Sequence, residues 1–435
     1  MTLLDLTPRV ATSDRLATLP VAVIGAGPIG LAAAANLLER GIDFIVYEAG
    51  DDIAASMRAW GHTRLFSPWK HLVDPASRRL LEARGWELPS PERAPTGTEL
   101  VELYLAPLGE VDEIADRIRT GVEVVAVARE GMDRTRTRAR AASPFVLRLR
   151  DSTGEVTEVA ARAVIDASGT YTSPNPLSSN GLDLLGMEAI ADRVTPALPD
   201  VLGRDRASFA GRRVTVVGAG HSAANTLLAL VKLARDEPGT TVTWLIRNAQ
   251  AVRVSSSPED ELVGRAHLGR RVDQAVARGE IAVLDGFEIL RADRDGDTVE
   301  LTGTRRGEVS RHGTDVVVNA TGFRPDLDML REIRLELDDI VEAPKRLAPL
   351  IDPNVHSCGT VEPHGFRELT HPERGFFIVG MKSYGRAPTF LLATGYEQVR
   401  SVTAWLAGDT VAASAVQLTL PATGVCSTDQ AGGCC

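Results

Sequence analysis

Cysteine is scarce in this sequence and lies late: four residues in 435, none before Cys358. A disulfide-stapled scaffold is excluded, because most of the chain has no thiol to tie. In a reducing compartment the four are expected as free thiols. Long apolar runs are missing too. No stretch reaches the roughly 18–20 uninterrupted apolar residues of a bilayer-spanning helix, and the opening MTLLDLTPRVATSDR lacks the basic-then-apolar order of a secretory leader. A cytoplasmic protein with no membrane partner is expected. An excess of positive charge is also absent. The formal net charge of −10 argues against nucleic acid as a partner. Lysine occurs only at 70, 232, 345 and 382; the other basic side chains are arginine.

Apolar residues make up 44% of the chain and charged residues 24%, the balance of a globular protein. At roughly 150 residues per domain, two to three domains are expected. One pattern occurs twice. An apolar strand, PVAVIG, enters a glycine turn, then a helical stretch from Ile29 to Arg40 stopped by Gly41, then a second strand, DFIVYE. Later the order repeats as RRVTVVGAG, HSAANTLLALVKLAR and TTVTWLIR. Each is a βαβ unit. Strand-like runs at 121–128, 145–150 and 162–166 lie between them. Residues 171–207, rich in Pro, Ser and Gly, read as a connection between domains. DVVVNATGFRP at 315–325 closes the second unit. Residues 1–18 are expected as a loosely ordered lead-in, and 413–435 as a flexible tail.

Gly25-Ala26-Gly27-Pro28-Ile29-Gly30 fits GxGxxG between a strand and a helix. The first glycine permits the tight turn, the second admits a diphosphate, and the third lets helix and strand pack closely. Glu48, at the end of the second strand, has the spacing of a carboxylate that accepts from a ribose diol. This unit is expected to bind FAD. Gly218-Ala219-Gly220-His221-Ser222-Ala223 repeats the turn, with His221 and Ser222 opening the helix beside the phosphates. Here the second strand ends in Arg247. A carboxylate at that place would repel a 2′-phosphate, whereas arginine pairs with one, and Arg253 can share the load. The second unit is therefore expected to prefer NADPH, the alternative being that Arg247 is an ordinary solvated strand end. A flavin and a nicotinamide in one chain point to electron transfer between them.

Taken together these residues resemble the two-dinucleotide-binding flavoproteins, and among them the flavin-containing monooxygenase-like branch. The resemblance rests on GAGPIG with Glu48, on FAGRRV before GAGHSA, on Asn319-Ala320-Thr321-Gly322-Phe323 and on Asp166-Ala167-Ser168-Gly169-Thr170. The C-terminal half is similar to the flavin monooxygenase-like proteins of bacterial arsenic-resistance operons. The matching segments are LAPLIDPN (347–354), HSCGT (356–360) and GFFIVGMKSYGRAPTFLLATGYEQVRSV (375–402). The resemblance implies an α/β fold of two Rossmann-like domains. An FAD-binding domain of 18–185 and 326–412 would be interrupted by an NAD(P)-binding domain of 186–325. It places Thr321 and Gly322 at the crossing between domains, and Gly380 and Met381 where the chain returns to the flavin. It also implies a small-molecule substrate and dioxygen. Two departures stand out. Phe209-Ala210-Gly211 begins the monooxygenase fingerprint, but the histidine that should follow is absent. Phe66-Ser67-Pro68-Trp69 lacks the asparagine expected beside the flavin, which leaves Ser67 and Trp69 as the catalytic candidates there.

Thiolates suit soft, thiophilic ions. Cys426, Cys434 and Cys435 can trap a trivalent arsenical on the tail, or be incidental to a frayed end. Cys358 is either an ordinary buried cysteine or a reactive one. Trp60, Trp69 and Trp86 wall the flavin or substrate pocket, or belong to the core. His62, His71, His364 and His371 have no metal-ligand spacing. Three functions remain open: an NADPH-dependent flavin monooxygenase acting on a small soft-heteroatom or arsenical compound, an NADPH-driven flavin reductase or oxidase without oxygen insertion, and a metalloid-binding flavoprotein redox sensor.

Overall fold

Strand β1 (Val21–Ile24) is apolar at every position and buried at every position. A strand covered on both faces belongs inside a parallel sheet. The computed structural model, which describes residues 12–248, 263–352, 363–387 and 390–418, places it there. Helix α1 (Pro28–Glu39) follows, with proline in its first turn. Next come β2 (Phe44–Tyr47), β3 (Ile118–Arg119), the antiparallel meander β4 (Val122–Arg129), β5 (Phe145–Asp151) and β6 (Val156–Ala161), and then β7 (Ala163–Asp166). The edge strand β8 (Val194–Thr195) precedes β9 (Arg213–Val217), α2 (His221–Asp236), β10 (Thr241–Leu245), α3 (Val263–Ala277) and β11 (Ala282–Leu284). A second meander, β12 (Phe287–Asp295), β13 (Thr298–Arg305) and β14 (Glu308–Thr314), leads to β15 (Val316–Asn319). The last strand is β16 (Phe376–Ile378), followed by α4 (Leu392–Leu406).

Two parallel five-stranded sheets result, in the orders β16-β7-β1-β2-β3 and β11-β10-β9-β15-β8. The fold is α/β with two Rossmann-like units. Every strand of the second sheet lies between β7 and β16 in sequence, and β16 returns to pair with β7. The registers repeat between units: Ile24 stands beside Asp166, and Val217 beside Asn319. In α1 the residues Ala32–Ala35 are all fully buried. Their small side chains let the sheet on one side and α4 on the other come close. At Gly395 of α4 a Cβ would lie 2.5 Å from Ile29 Cδ1.

The expected lead-in is in part ordered: Thr12–Thr18 is helical, and Arg15 pairs with Glu130 on the first meander. The connection 171–207 is not featureless, since it contributes β8 to the second sheet. The chain crosses between units twice, and the two passages touch. Asn175 N donates to Gly322 O at 2.9 Å, Asn319 Nδ2 to Asn175 O at 2.9 Å and Thr321 Oγ1 to the same carbonyl at 3.0 Å.

A buried carboxylate ties the first unit's helices together. Asp74 caps the helix Pro75–Glu82, accepting from Ser77 N at 2.8 Å and Ser77 Oγ at 3.0 Å, and from Asn36 Nδ2 of α1. Burial pushes its pKa up from 3.8 to about 6, with the Ser77 and Asn36 hydrogen bonds opposing. Between those values the folded chain holds a proton that the unfolded chain has released. The contribution to stability is therefore full below the lower value and lost as pH rises through the upper one. Asp74→Asn lacks this loss. Its melting temperature relative to wild type should climb from pH 4 to pH 7, by the equivalent of at most about 3 kcal/mol. A constant difference across that range would mean that Asp74 is ionised throughout.

Candidate functional site

The two glycine turns are built alike. Gly25 has φ +96, and a Cβ there would stand 2.8 Å from Ala167 O. Gly218 has φ +127, and its Cβ would stand 2.1 Å from Ala320 O. Both are forced by the protein itself, since each packs on the segment leaving the neighbouring strand. Gly27 and Gly220 differ. Their φ values of −77 and −85 suit any residue, and a Cβ at either meets nothing within 4 Å. Nothing in the chain requires glycine there. Each is the N-cap of its helix, and neither helix has a side-chain cap. What the two positions share is free space against uncapped N–H groups, the geometry an anionic diphosphate fits.

Beside the first turn, Glu48 Oε2 accepts from Ala26 N at 2.7 Å and Oε1 from Gly50 N at 2.9 Å. The carboxylate is thus held at the strand end, facing the turn. Beside the second, Arg247 is exposed and donates through Nη1 to Ser179 O at 3.2 Å. Arg253 lies outside the described residues. The His221 ring of the second unit packs 5.2 Å from that of Phe66 in the first. Ser222 O accepts from Thr226 Oγ1 within α2. The Thr321 hydroxyl is committed to Asn175 O and Asn319 Oδ1, and Gly322 has φ +96 against the Asn175 side chain.

A cavity of about 590 Å³ opens from the first turn, within the range of small-molecule and cofactor sites. Its walls include Gly25, Gly27, Pro28 and Ile29, then Glu48, Ala54 to Met57, Ala167 to Thr172 and Gly380 to Lys382. Gly30 lies outside the wall, packed on the Gly25 carbonyl. The second turn is not part of this cavity. Trp60 is on the wall. Trp69 is fully buried in the first core, its indole N–H without a partner among the described residues, and Ser67 is also buried. Neither Trp69 nor Ser67 lines the cavity. Trp86 packs on the core and donates to Leu103 O at 2.7 Å.

Several wall residues carried no sequence signal. Ala54 adopts φ 54, rare for a residue with a Cβ, and its N–H reaches Ala26 O at 3.0 Å. Tyr171 and Phe323 pack with ring centroids 5.4 Å apart. Burial raises the Tyr171 pKa, Arg204 opposing, so the phenol is a donor at neutral pH. The turn bearing Gly380 and Met381 is held by α4. Gly380 N donates to Gln398 Oε1 at 2.7 Å, and Gln398 Nε2 donates to Ser383 Oγ at 2.9 Å. Gln398 has no exposed surface.

All four cysteines lie outside the described residues. Among the described residues no group of His, Cys, Asp and Glu could hold a metal ion, and no helix is long and apolar enough to cross a membrane. His364 and His371 are buried, as core histidines would be.

Against known proteins, the model of the pyridine nucleotide-disulphide oxidoreductase family matches residues 19–374. The chain belongs to that family. Among curated relatives, the indole-3-pyruvate monooxygenase YUCCA1 of Oryza sativa subsp. japonica is 27% identical over 313 residues, 71% of this chain and 65% of that protein. The chain thus spans just under two thirds of that relative. Among solved structures, the bacillithiol disulfide reductase of Bacillus cereus superposes with a TM-score of 0.64 at 21% identity, covering 90% of this chain and 99% of the other. The ornithine N-hydroxylase of Kutzneria sp. 744, in a structure with reduced FAD, NADP+ and L-ornithine, gives 0.58 at 19% identity, covering 91% and 98%. These two likenesses establish the fold. For a disulphide oxidoreductase the chain is unusual: no cysteine precedes Cys358.

Proposed function

We propose that the chain is an FAD-dependent oxidoreductase that takes its electrons from NADPH and works as a flavin monooxygenase-like enzyme. Its substrate would be a small soft-heteroatom or arsenical compound, with dioxygen as co-substrate, in the cytoplasm. The observation that carries this reading is the matched pair of turns, each keeping free the space that a Cβ at Gly27 or Gly220 would fill. Bound FAD supplies two-electron chemistry, accepting from a reduced nicotinamide and passing electrons on.

The FAD unit would comprise 18–185 and 326–412, and the NADPH unit 186–325. In the first, Gly25 to Gly30 would cradle the diphosphate, Glu48 the ribose diol, and Gly380 and Met381 the flavin end. In the second, Gly218, Gly220, His221 and Ser222 would take the diphosphate, Arg247 and Arg253 the 2′-phosphate, with Thr321 and Gly322 at the crossing. The rice relative is named as a monooxygenase, and the absence of an early thiol pair weighs against disulphide chemistry. The arsenical reading rests on the C-terminal resemblance and on Cys426, Cys434 and Cys435 as a soft-ligand tail.

The missing histidine after Phe209-Ala210-Gly211 favours a second reading, a flavin reductase or oxidase without oxygen insertion. Oxidation of NADPH by the purified protein, with hydrogen peroxide quantified, separates the two. Oxidation of a trivalent arsenical that persists when catalase removes free peroxide supports the monooxygenase. Peroxide equal to the NADPH spent, whatever soft substrate is added, supports the oxidase. Protein that emerges colourless and takes up no FAD sinks both. Arg247→Ala should raise KM for NADPH roughly tenfold or more, the worth of a lost charge-assisted pair, and leave NADH unchanged. Equal changes for both nucleotides would remove the 2′-phosphate role.

A further inference from the structure

Asp166 ends β7, and Lys382 lies in the turn after β16. Their side chains are 0% and 1% exposed, with Lys382 Nζ 2.8 Å from Asp166 Oδ2. Lys382 also donates to Ser168 Oγ at 3.0 Å. Ser168 in turn donates to Asp166 Oδ1, through Oγ at 2.7 Å and through N at 3.1 Å. The three side chains form a closed cycle. Lys382 and Ser168 are on the cavity wall with Gly27 and Gly380.

The arrangement is costly. Taking both charges out of water offsets most of their attraction, and an apolar pair of the same volume would hold the two segments at least as well. The residue type is informative too. This chain uses lysine at only four places and arginine everywhere else. A planar guanidinium spends its donors in fixed directions, whereas an ammonium is compact and carries three protons around one atom. The ammonium donates to Ser168 Oγ and lies 2.8 Å from Asp166 Oδ2 as an ion pair. A further proton has no acceptor among the described residues, and Lys382 belongs to the cavity wall.

We propose that Lys382 contacts the bound dinucleotide. Asp166 and Ser168 orient the ammonium so that its remaining proton meets an oxygen of FAD. Asp166 and Ser168 are positioning residues, and Lys382 is the contact. This rests on the preceding reading that FAD occupies the cavity.

Lys382→Met alone would strand a buried carboxylate, so the informative variant is Asp166→Asn with Lys382→Met, which removes both charges at similar volume. The readout is the FAD dissociation constant of the full-length holoprotein, taken from the fluorescence of flavin released on dilution. The double variant is expected to bind FAD roughly tenfold or more weakly, the range for a lost hydrogen bond from a charged group. Ser168→Ala keeps the ion pair but removes one anchor of the ammonium, and should weaken binding about threefold. It decides the matter if the double variant fails to fold. Wild-type affinity in a folded double variant, or in Ser168→Ala when the double variant is unfolded, overturns the proposal. A wild-type protein that holds no FAD would instead sink the reading beneath it.

Discussion

Gly27→Leu should yield a folded protein without flavin. The backbone at Gly27 has φ −77, which leucine adopts without strain, and a Cβ there touches no protein atom within 4 Å. The fold therefore has no reason to object, and flavin-free stability should change by no more than about 0.5 kcal/mol. On the proposed reading, the space the new side chain takes would be that of the diphosphate. Displacing it from the N–H groups of the first turn forfeits hydrogen bonds to a charged group, each worth about 1.5–3 kcal/mol. Two such losses lower FAD affinity about a hundredfold or more. Gly30→Ala is the contrast, because its Cβ would lie 1.8 Å from Gly25 O and breaks the turn itself. The ratio of flavin to protein absorbance, alongside melting followed by circular dichroism, reports both. Stoichiometric FAD in Gly27→Leu would mean that the cavity holds something else.

The second large effect is structural. Glu373 is 2% exposed. Its oxygens accept from Arg129 Nε at 2.8 Å, Arg140 Nη2 at 2.8 Å and Arg334 N at 3.2 Å. Arg129 and Arg140 are themselves buried, and the Arg129 guanidinium lies 3.6 Å over the Phe145 ring. Burial works to raise the Glu373 pKa, but the two guanidiniums hold it below the ordinary carboxylate range. Its contribution to stability is accordingly present above that range and lost as pH falls. Glu373→Ala leaves two buried cations with no counter-charge, at a cost of about 3–5 kcal/mol. The first unit should melt roughly 6–15 °C lower. Arg148→Ala, which breaks an exposed pair with Glu158, should change the melting temperature by little. A Glu373→Ala protein that melts with wild type would show that the two arginines find other partners.

Much of this was legible because it is local. Each βαβ unit spans about thirty residues, and its glycines, apolar strands and terminal Glu48 or Arg247 stand at short, regular intervals. Strand β8 was not legible, since two residues become a strand only where β15 offers an edge. Strand β13 alternates buried and half-buried residues from Val299 to Gly303, a period-two signal lost among its polar residues. Trp60 and Trp69 are indistinguishable in sequence; only the tertiary fold sends one to the cavity wall and the other to the core. The Asp166–Lys382 pair joins residues far apart in sequence, and no periodicity reaches that far.

The contact of Asn175 with Asn319 and Thr321 has a mechanical result. Both strands of chain that tether one half of the molecule to the other are pinned together at one spot, like the two wires of a twisted pair. Any swing of the second unit must pivot about that spot, which acts as a fulcrum. The Phe66–His221 ring contact, made between the two units, would change with such a swing.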